Sequence, residues 1–263
     1  MEIRPKKSLG QNFLTDKNIL KSIVEIGNIN PNSTILEIGP GTGLLTEYIL
    51  KKNPKKMFVI EKDFKCIELL KKKFSKKINI INDDVLKTNF GNIANEKLVI
   101  FGNLPYNIST QILIRLIIEN KIFNSYDKLI LMFQKEVADR ILSVTNDRNY
   151  GRLAVISNWR HNIRKQFNIS PNCFYPKPKV ESTLLTFVPK KNFFYLKNPK
   201  NIEKITRIFF NQKRKMIKNP FKQIFKYPEK IAEDFKLNLN LRPQNLSPSI
   251  YYEITKKYEN LMS

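Results

Sequence analysis

Between about residues 20 and 190, short β-branched runs alternate with longer stretches of helical periodicity, and no other feature constrains the chain as much. Parallel strands need a crossover between them, so repeated βα units of this kind build a mainly parallel sheet with helices on its faces. Strands are predicted at residues 34–38, 57–60, 78–81, 98–101 and 128–133, with helical segments such as 44–52 and 64–74 between them. Runs at 164–169 and 182–188 read as a closing pair of strands, with Pro171, Pro176, Pro178 and Pro189 in the loops around them. The expected class is therefore α/β.

A boundary is expected near residue 190, giving domains at 1–190 and 191–263. From Lys190 onward Lys and Arg outnumber Asp and Glu 17 to 6, and Ile202, Ile205, Ile208, Phe209 and Phe210 recur among basic residues at helical spacing. That pattern predicts a small, basic, all-α domain. Lys213, Arg214 and Lys215 are expected on a helix whose opposite side is apolar, so that their charges project together. The whole chain carries a formal charge of +24, which favours a polyanionic partner such as RNA. Lys exceeds Arg 37 to 10, a bias that compositional drift also produces, but drift explains the choice of Lys better than the charge imbalance.

Other classes are excluded at this level. No apolar run follows the first residues and none is long enough to span a bilayer, so the expectation is a cytoplasmic protein with no membrane partner. Cys66 and Cys173 show no metal-ligand spacing and His161 is the only histidine, so zinc sites and histidine triads are not expected, and no metal is.

The chemistry concentrates at predicted strand ends, where open α/β sheets bind ligands. The first strand runs into Glu37-Ile38-Gly39-Pro40-Gly41-Thr42-Gly43, whose glycines Gly39 and Gly41 permit close approach of a ligand to the backbone. The loop departs from the G-x-G-x-x-G dinucleotide fingerprint and lacks the Lys-Ser/Thr of a phosphate loop. Glu61 ends the second strand, where a carboxylate can accept from ribose hydroxyls, and Asp84 follows the third, where it can accept from an adenine amino group. Sites for ribose and adenine without a phosphate cradle fit S-adenosylmethionine better than a nicotinamide dinucleotide.

The fourth strand ends in Asn103-Leu104-Pro105-Tyr106. An adenine N6 is a poor nucleophile because its lone pair is delocalised into the ring. Two acceptors aimed at its N–H bonds draw the pair out of conjugation: the Asn103 carboxamide oxygen is one and the Leu104 carbonyl, held by the fixed φ of Pro105, is the other. Tyr106 can stack on the base. The same four residues are also compatible with a plain turn after a strand.

Taken together, Gln11-Asn12-Phe13-Leu14, the Glu37 to Gly43 loop, Asn103 to Thr110 and Phe174-Tyr175-Pro176-Lys177-Pro178-Lys179-Val180-Glu181-Ser182 resemble the ribosomal RNA adenine dimethyltransferases over nearly the whole chain. Within that family, Phe210-Asn211-Gln212-Lys213-Arg214-Lys215 is more similar to the small-subunit enzymes than to the large-subunit resistance methylases. The resemblance implies a Rossmann-like, seven-stranded methyltransferase sheet with a small helical C-terminal domain. The implied activity is N6,N6-dimethylation of two adjacent adenosines in a hairpin near the 3′ end of small-subunit ribosomal RNA, by a monomer acting on the small ribosomal subunit. By position in the motifs, Asn12 and Leu14 would meet the cofactor from an N-terminal lid (residues 1–20), Gly39 its methionine portion, Glu61 its ribose and Asp84 its adenine. Asn103 would be shared between cofactor and target, and Phe174 would be the second aromatic face beside Tyr106. The family usually has a single acid where this chain reads Asn82-Asp83-Asp84, and the offset from Val85 selects Asp84. A DNA adenine methyltransferase and a non-catalytic assembly or transcription factor on the same fold remain open at this level.

Overall fold

A computed structural model describes residues 5–6 and 10–262. The chain divides into two compact units, one of residues 1–138 and 162–189, the other of 139–161 and 190–263.

In the first unit, β2 (Thr34–Ile38), β3 (Lys56–Glu61), β4 (Asn79–Asn82), β5 (Leu98–Asn103), β6 (Tyr126–Gln134), β7 (His161–Ile169) and β9 (Ser182–Pro189) form one seven-stranded sheet in the order β4-β3-β2-β5-β6-β9-β7. The pairs β2–β3, β2–β5, β3–β4 and β5–β6 are parallel, while β6–β9 is antiparallel. All five residues of the central strand β2 are buried, as expected of a strand covered on both faces. Edge strand β4 instead keeps Asn79 and Asn82 exposed. A separate two-stranded antiparallel ribbon joins β1 (Phe13–Leu14) to β8 (Phe174–Tyr175), with Phe13 opposite Tyr175 and Leu14 opposite Phe174.

The crossovers are α1 (Lys17–Gly27), α2 (Leu44–Leu50), α3 (Phe64–Phe74), α4 (Ser109–Ile118) and the short α5 (Asn120–Phe123). Asp16 caps α1 by accepting from the Asn18 and Ile19 amides at 2.9 and 3.0 Å, and Asp63 caps α3 by accepting from Lys65 at 3.1 Å. Leu20, Ile23 and Val24 of α1 and Leu70 and Phe74 of α3 pack with Ile35, Val59 and Phe101 of the sheet in one apolar core. The chain leaves β2 for β3 on one side and returns to β5 on the other. The sheet's switch point therefore lies between β2 and β5, with Gly39 and Asn103 at its two carboxyl ends.

The boundary between units falls within α6 (Lys135–Leu142). The second unit adds α7 (Arg152–Arg160), α8 (Lys200–Phe210), α9 (Lys218–Ile224), α10 (Pro228–Asp234) and α11 (Pro248–Met262). Its interior is aromatic: the Phe209 ring meets Phe221 and Tyr251 at 5.7 and 5.3 Å between centroids. The Tyr150, Tyr251 and Tyr252 hydroxyls donate to the carbonyls of Leu246, Pro243 and Val155. A single cut near residue 190 misses the contribution of 139–161, which packs with the helical unit through these tyrosine bonds.

Lys213, Arg214 and Lys215 do not lie on a helix, contrary to the sequence expectation. Helix α8 ends at Phe210, and residues 211–214 form turns. The buried stripe of α8 runs through Ile202, Ile205, Thr206 and Phe209, and its next position is Lys213, which cannot continue an apolar face. The Lys213 amine instead donates to the Arg148 carbonyl at 2.6 Å, and the chain departs to bury Ile217, whose amide donates to Leu241. Among the described residues no helix is long and apolar enough to cross a membrane.

Candidate active site

A cleft of about 1040 Å³, open solvent included, lies over the carboxyl ends of β2, β3 and β5. It is lined by the Gly39–Gly41 loop, Glu61, Asp83 and Asp84, Asn103 through Ile108, and Gly10 through Phe13. Parallel register sets this convergence: Ile38 pairs with both Ile60 and Gly102, so Gly39, Glu61 and Asn103 each follow one level of the sheet.

The two site glycines differ in what surrounds them. Gly39 has φ +67°, and a Cβ there would meet nothing closer than the Asn103 carbonyl at 4.0 Å, so the backbone faces space that a ligand can occupy. Gly41 has φ +54°, and a Cβ would come within 2.6 Å of the Phe13 ring. Its lack of a side chain seats the β1–β8 ribbon against the loop.

Glu61 is 7% exposed. One oxygen accepts from the Lys62 and Asp63 amides at 2.8 Å each, the other from Gly41 at 3.1 Å. Burial raises its pKa despite those bonds. Three of roughly four acceptor positions are filled, leaving room on the Gly41-bonded oxygen for a ligand hydroxyl. Asp84 accepts from the Leu86 amide at 3.0 Å and from the Lys62 amine at 2.8 Å, and the lysine bond holds its carboxyl below the usual range. Asp83 turns back to accept from the Asp84 amide at 2.7 Å, which leaves Asp84 the better placed of the two acids for a ligand.

Asn103 donates its carboxamide N–H to the Asn12 carbonyl at 2.8 Å, so its Oδ1 is left to accept. The Pro105 carbonyl accepts from Ile108 at 3.1 Å, whereas the Leu104 carbonyl accepts no hydrogen bond among the described residues. Two carbonyl acceptors thus end β5 without a committed donor. Tyr106 lines the cleft and its hydroxyl lies 2.6 Å from Ser182 Oγ at the start of β9, which fixes the ring; burial raises its pKa.

Asn12, Gly39, Gly41, Glu61, Asp84, Asn103, Leu104, Pro105 and Tyr106 are therefore brought together, and Leu14 and Phe174 are not among the residues lining this cleft. Each of those two is 5% exposed and belongs to the core cluster. Leu14 lines a small cavity beside the cleft with Glu37, Gly39 and Asn103. Lys213, Arg214 and Lys215 belong to the other unit. Glu37 carried no assigned role in the sequence reading. It is 2% exposed, accepts from Thr46 Oγ1 at 2.6 Å, and burial pushes its carboxyl up to about 8 against that bond, the charge of Glu61 adding to the rise. An acid standing mid-pattern in a fully buried strand was the available signal. The described residues contain no cluster of three or more His, Cys, Asp or Glu that could hold a metal ion.

A glycine loop, two strand-end acids and Asn103-Leu104-Pro105-Tyr106 thus meet in one cleft at a parallel switch point, the place where open α/β sheets bind ligands. Residues 3–260 match the family model described as ribosomal RNA adenine dimethylase, and the chain belongs to that family. It is 56% identical over 261 residues to the ribosomal RNA small subunit methyltransferase A of Pelagibacter ubique, covering 99% of each chain. The protein of that name from Ehrlichia ruminantium is 40% identical over 256 residues, 96% of each. Among solved structures, a dimethyladenosine transferase from Plasmodium falciparum superposes with a TM-score of 0.81 at 26% identity, covering 94% of this chain and 98% of that one.

Proposed function

We propose that this protein transfers methyl groups from S-adenosylmethionine to N6 of two adjacent adenosines near the 3′ end of small-subunit ribosomal RNA, dimethylating both, and that it works as a cytoplasmic monomer. The observation that carries the reading is the pair of uncommitted acceptors, Asn103 Oδ1 and the Leu104 carbonyl, on a strand end that shares a cleft with Gly39, Glu61 and Asp84. The relatives carry small-subunit names, so a large-subunit or DNA substrate is not favoured.

The cleft fits the methyl donor. Gly39 leaves backbone room, Glu61 keeps an acceptor for a ribose hydroxyl, Asp84 presents an acceptor for an adenine amine, and no Lys-Ser/Thr follows the glycines to call for phosphate. When bound, S-adenosylmethionine supplies an electrophilic methyl group on a sulfonium. For the first methyl, Asn103 and Leu104 would accept the two N–H bonds of the target amine and localise its lone pair on nitrogen for in-line attack; for the second, one of them would hold the single N–H that remains. As each N–C bond forms the methyl–sulfur bond breaks, the sulfonium leaving as a neutral thioether, and the methylated nitrogen gives a proton to water. Positioning and electrostatics, not a general base, provide most of the rate. Tyr106 stacks on the extruded base. Phe174 becomes its second face only if the β1–β8 ribbon shifts, since the ring is 5% exposed.

The test is mass spectrometry of unmethylated small ribosomal subunits after incubation with protein and S-adenosylmethionine. Wild type should yield dimethyladenosine at two adjacent positions. Asn103→Ala should lower turnover by roughly a hundredfold or more, with a smaller effect on RNA affinity. Full methylation by that variant would remove Asn103 from the mechanism.

A further inference from the structure

Tyr175 leaves an aromatic ring in solvent beside a site that handles bases. It is 64% exposed, while its neighbour Phe174 and cross-strand diagonal Leu14 are buried in the core. Side chains alternate along a strand, and directly opposed residues share a face. Leu14 and Phe174 are opposed and point to the core, so Phe13 and Tyr175, also opposed, share the other face of the ribbon. On that face Phe13 lines the cleft and packs on Gly41, and Tyr175 stands opposite Phe13 in the ribbon, in solvent.

The ring is also held by rigid flanks. Thr15 donates to the Cys173 carbonyl through both its amide at 2.8 Å and its hydroxyl at 3.1 Å, pinning the start of β8. Pro176 and Pro178 fix the backbone that follows, and exposed Lys177 and Lys179 come two and four residues after the ring, with Glu181 the single acid of the loop. The loop returns to Ser182, the residue bonded to the Tyr106 hydroxyl, so Tyr175 and the target-base ring are tied to one short segment. An exposed aromatic followed closely in sequence by exposed cations is suited to stacking an unpaired base while its phosphates are held.

We propose that Tyr175 stacks on the nucleotide next to the adenosine in the Asn103–Tyr106 grip, holding the neighbouring base of the pair while its partner reacts. The inference rests on the adenine-dimethylating reading above. The adjacent target base is a purine with a broad face, and holding it at the cleft mouth lets the enzyme engage the second adenosine without releasing the RNA.

The experiment compares wild type, Tyr175→Ala and Tyr175→Phe on unmethylated small ribosomal subunits, with steady-state kinetics and mass spectrometry of products, and with calorimetry of S-adenosylmethionine binding as the control for folding. Tyr175→Ala should raise KM for the subunit roughly tenfold and accumulate RNA modified on only one of the two adenosines, while Tyr175→Phe behaves as wild type. Cofactor affinity should be equal in all three. Wild-type KM and product pattern in Tyr175→Ala, or an equal defect in Tyr175→Phe, would overturn the stacking role. Absence of dimethyladenosine with wild type would instead overturn the underlying reading.

Discussion

Glu37 sits in the middle of the sheet with its pKa pushed up from 4.5 to about 8 by burial. Because the folded-state value is above the unfolded one, the group's contribution to stability is fully present below pH 4.5. It is lost as pH rises towards 8, where the unfolded chain gives up a proton that the folded protein retains. Above about 8 the folded carboxyl ionises too and the loss levels off. The span corresponds to on the order of a few kcal/mol. Glu37→Gln keeps an acceptor for Thr46 and removes the titration, so thermal unfolding without cofactor should show the variant matching wild type near pH 4.5 and exceeding it by several degrees at pH 8.5. Parallel pH profiles would mean that Glu37 is ionised in the fold. The residue was visible in the sequence, but its protonation was not, because burial of β2 on both faces is a tertiary property.

At the scale of elements, the N-terminal segment is latched to the end of β3. Asp63 accepts from the Lys6 amine at 2.8 Å and from the Gln11 carboxamide at 3.2 Å while capping α3. Its side chain is 1% exposed and these bonds lower its pKa against the cost of burial. Asp63→Asn keeps the cap, since Asn is as good an N-cap as Asp, but removes the charge that holds Lys6. Amide exchange across residues 11–14 should quicken several-fold with Tm nearly unchanged; equal exchange would show that the β1–β8 pairing alone seats this segment. Elements differ in how far they could be read from sequence. The run at 34–38 is observed unchanged as β2 because four of its five residues are apolar or β-branched and leave little choice, and 57–60 and 98–101 needed only a residue or two at their ends. The ribbon of Phe13–Leu14 with Phe174–Tyr175 was illegible, since two-residue strands have no periodicity and meet across 160 residues of chain only through tertiary folding. The helix expected at Lys213 failed for a local reason, a lysine on the buried stripe.

At the scale of the molecule, the charge of +24 should make RNA binding strongly salt-dependent, each phosphate contact adding about 0.7–0.9 to the slope of log affinity against log salt. The structure divides the basic triplet unequally. Lys213 is spent on the Arg148 carbonyl and its pKa is lowered by burial, while Arg214 and Lys215 are exposed. If the triplet contacts phosphates, those two make the contacts. The double variant Arg214→Gln/Lys215→Gln should therefore flatten the slope by about 1.5, the change expected for two lost contacts. Lys213→Gln should leave the slope nearly unchanged and instead lower the thermal stability of the helical unit, because it frees the Arg148 turn. Titrations of small ribosomal subunits at several salt concentrations measure both. Equal slope changes from all three positions would mean that Lys213 leaves its carbonyl to bind RNA, and no change from any would assign the triplet to solvation. Because the triplet is not in the same unit as Asn103, the double variant should also retain its affinity for S-adenosylmethionine, which separates a loss of RNA affinity from damage to the proposed methyl-transfer site.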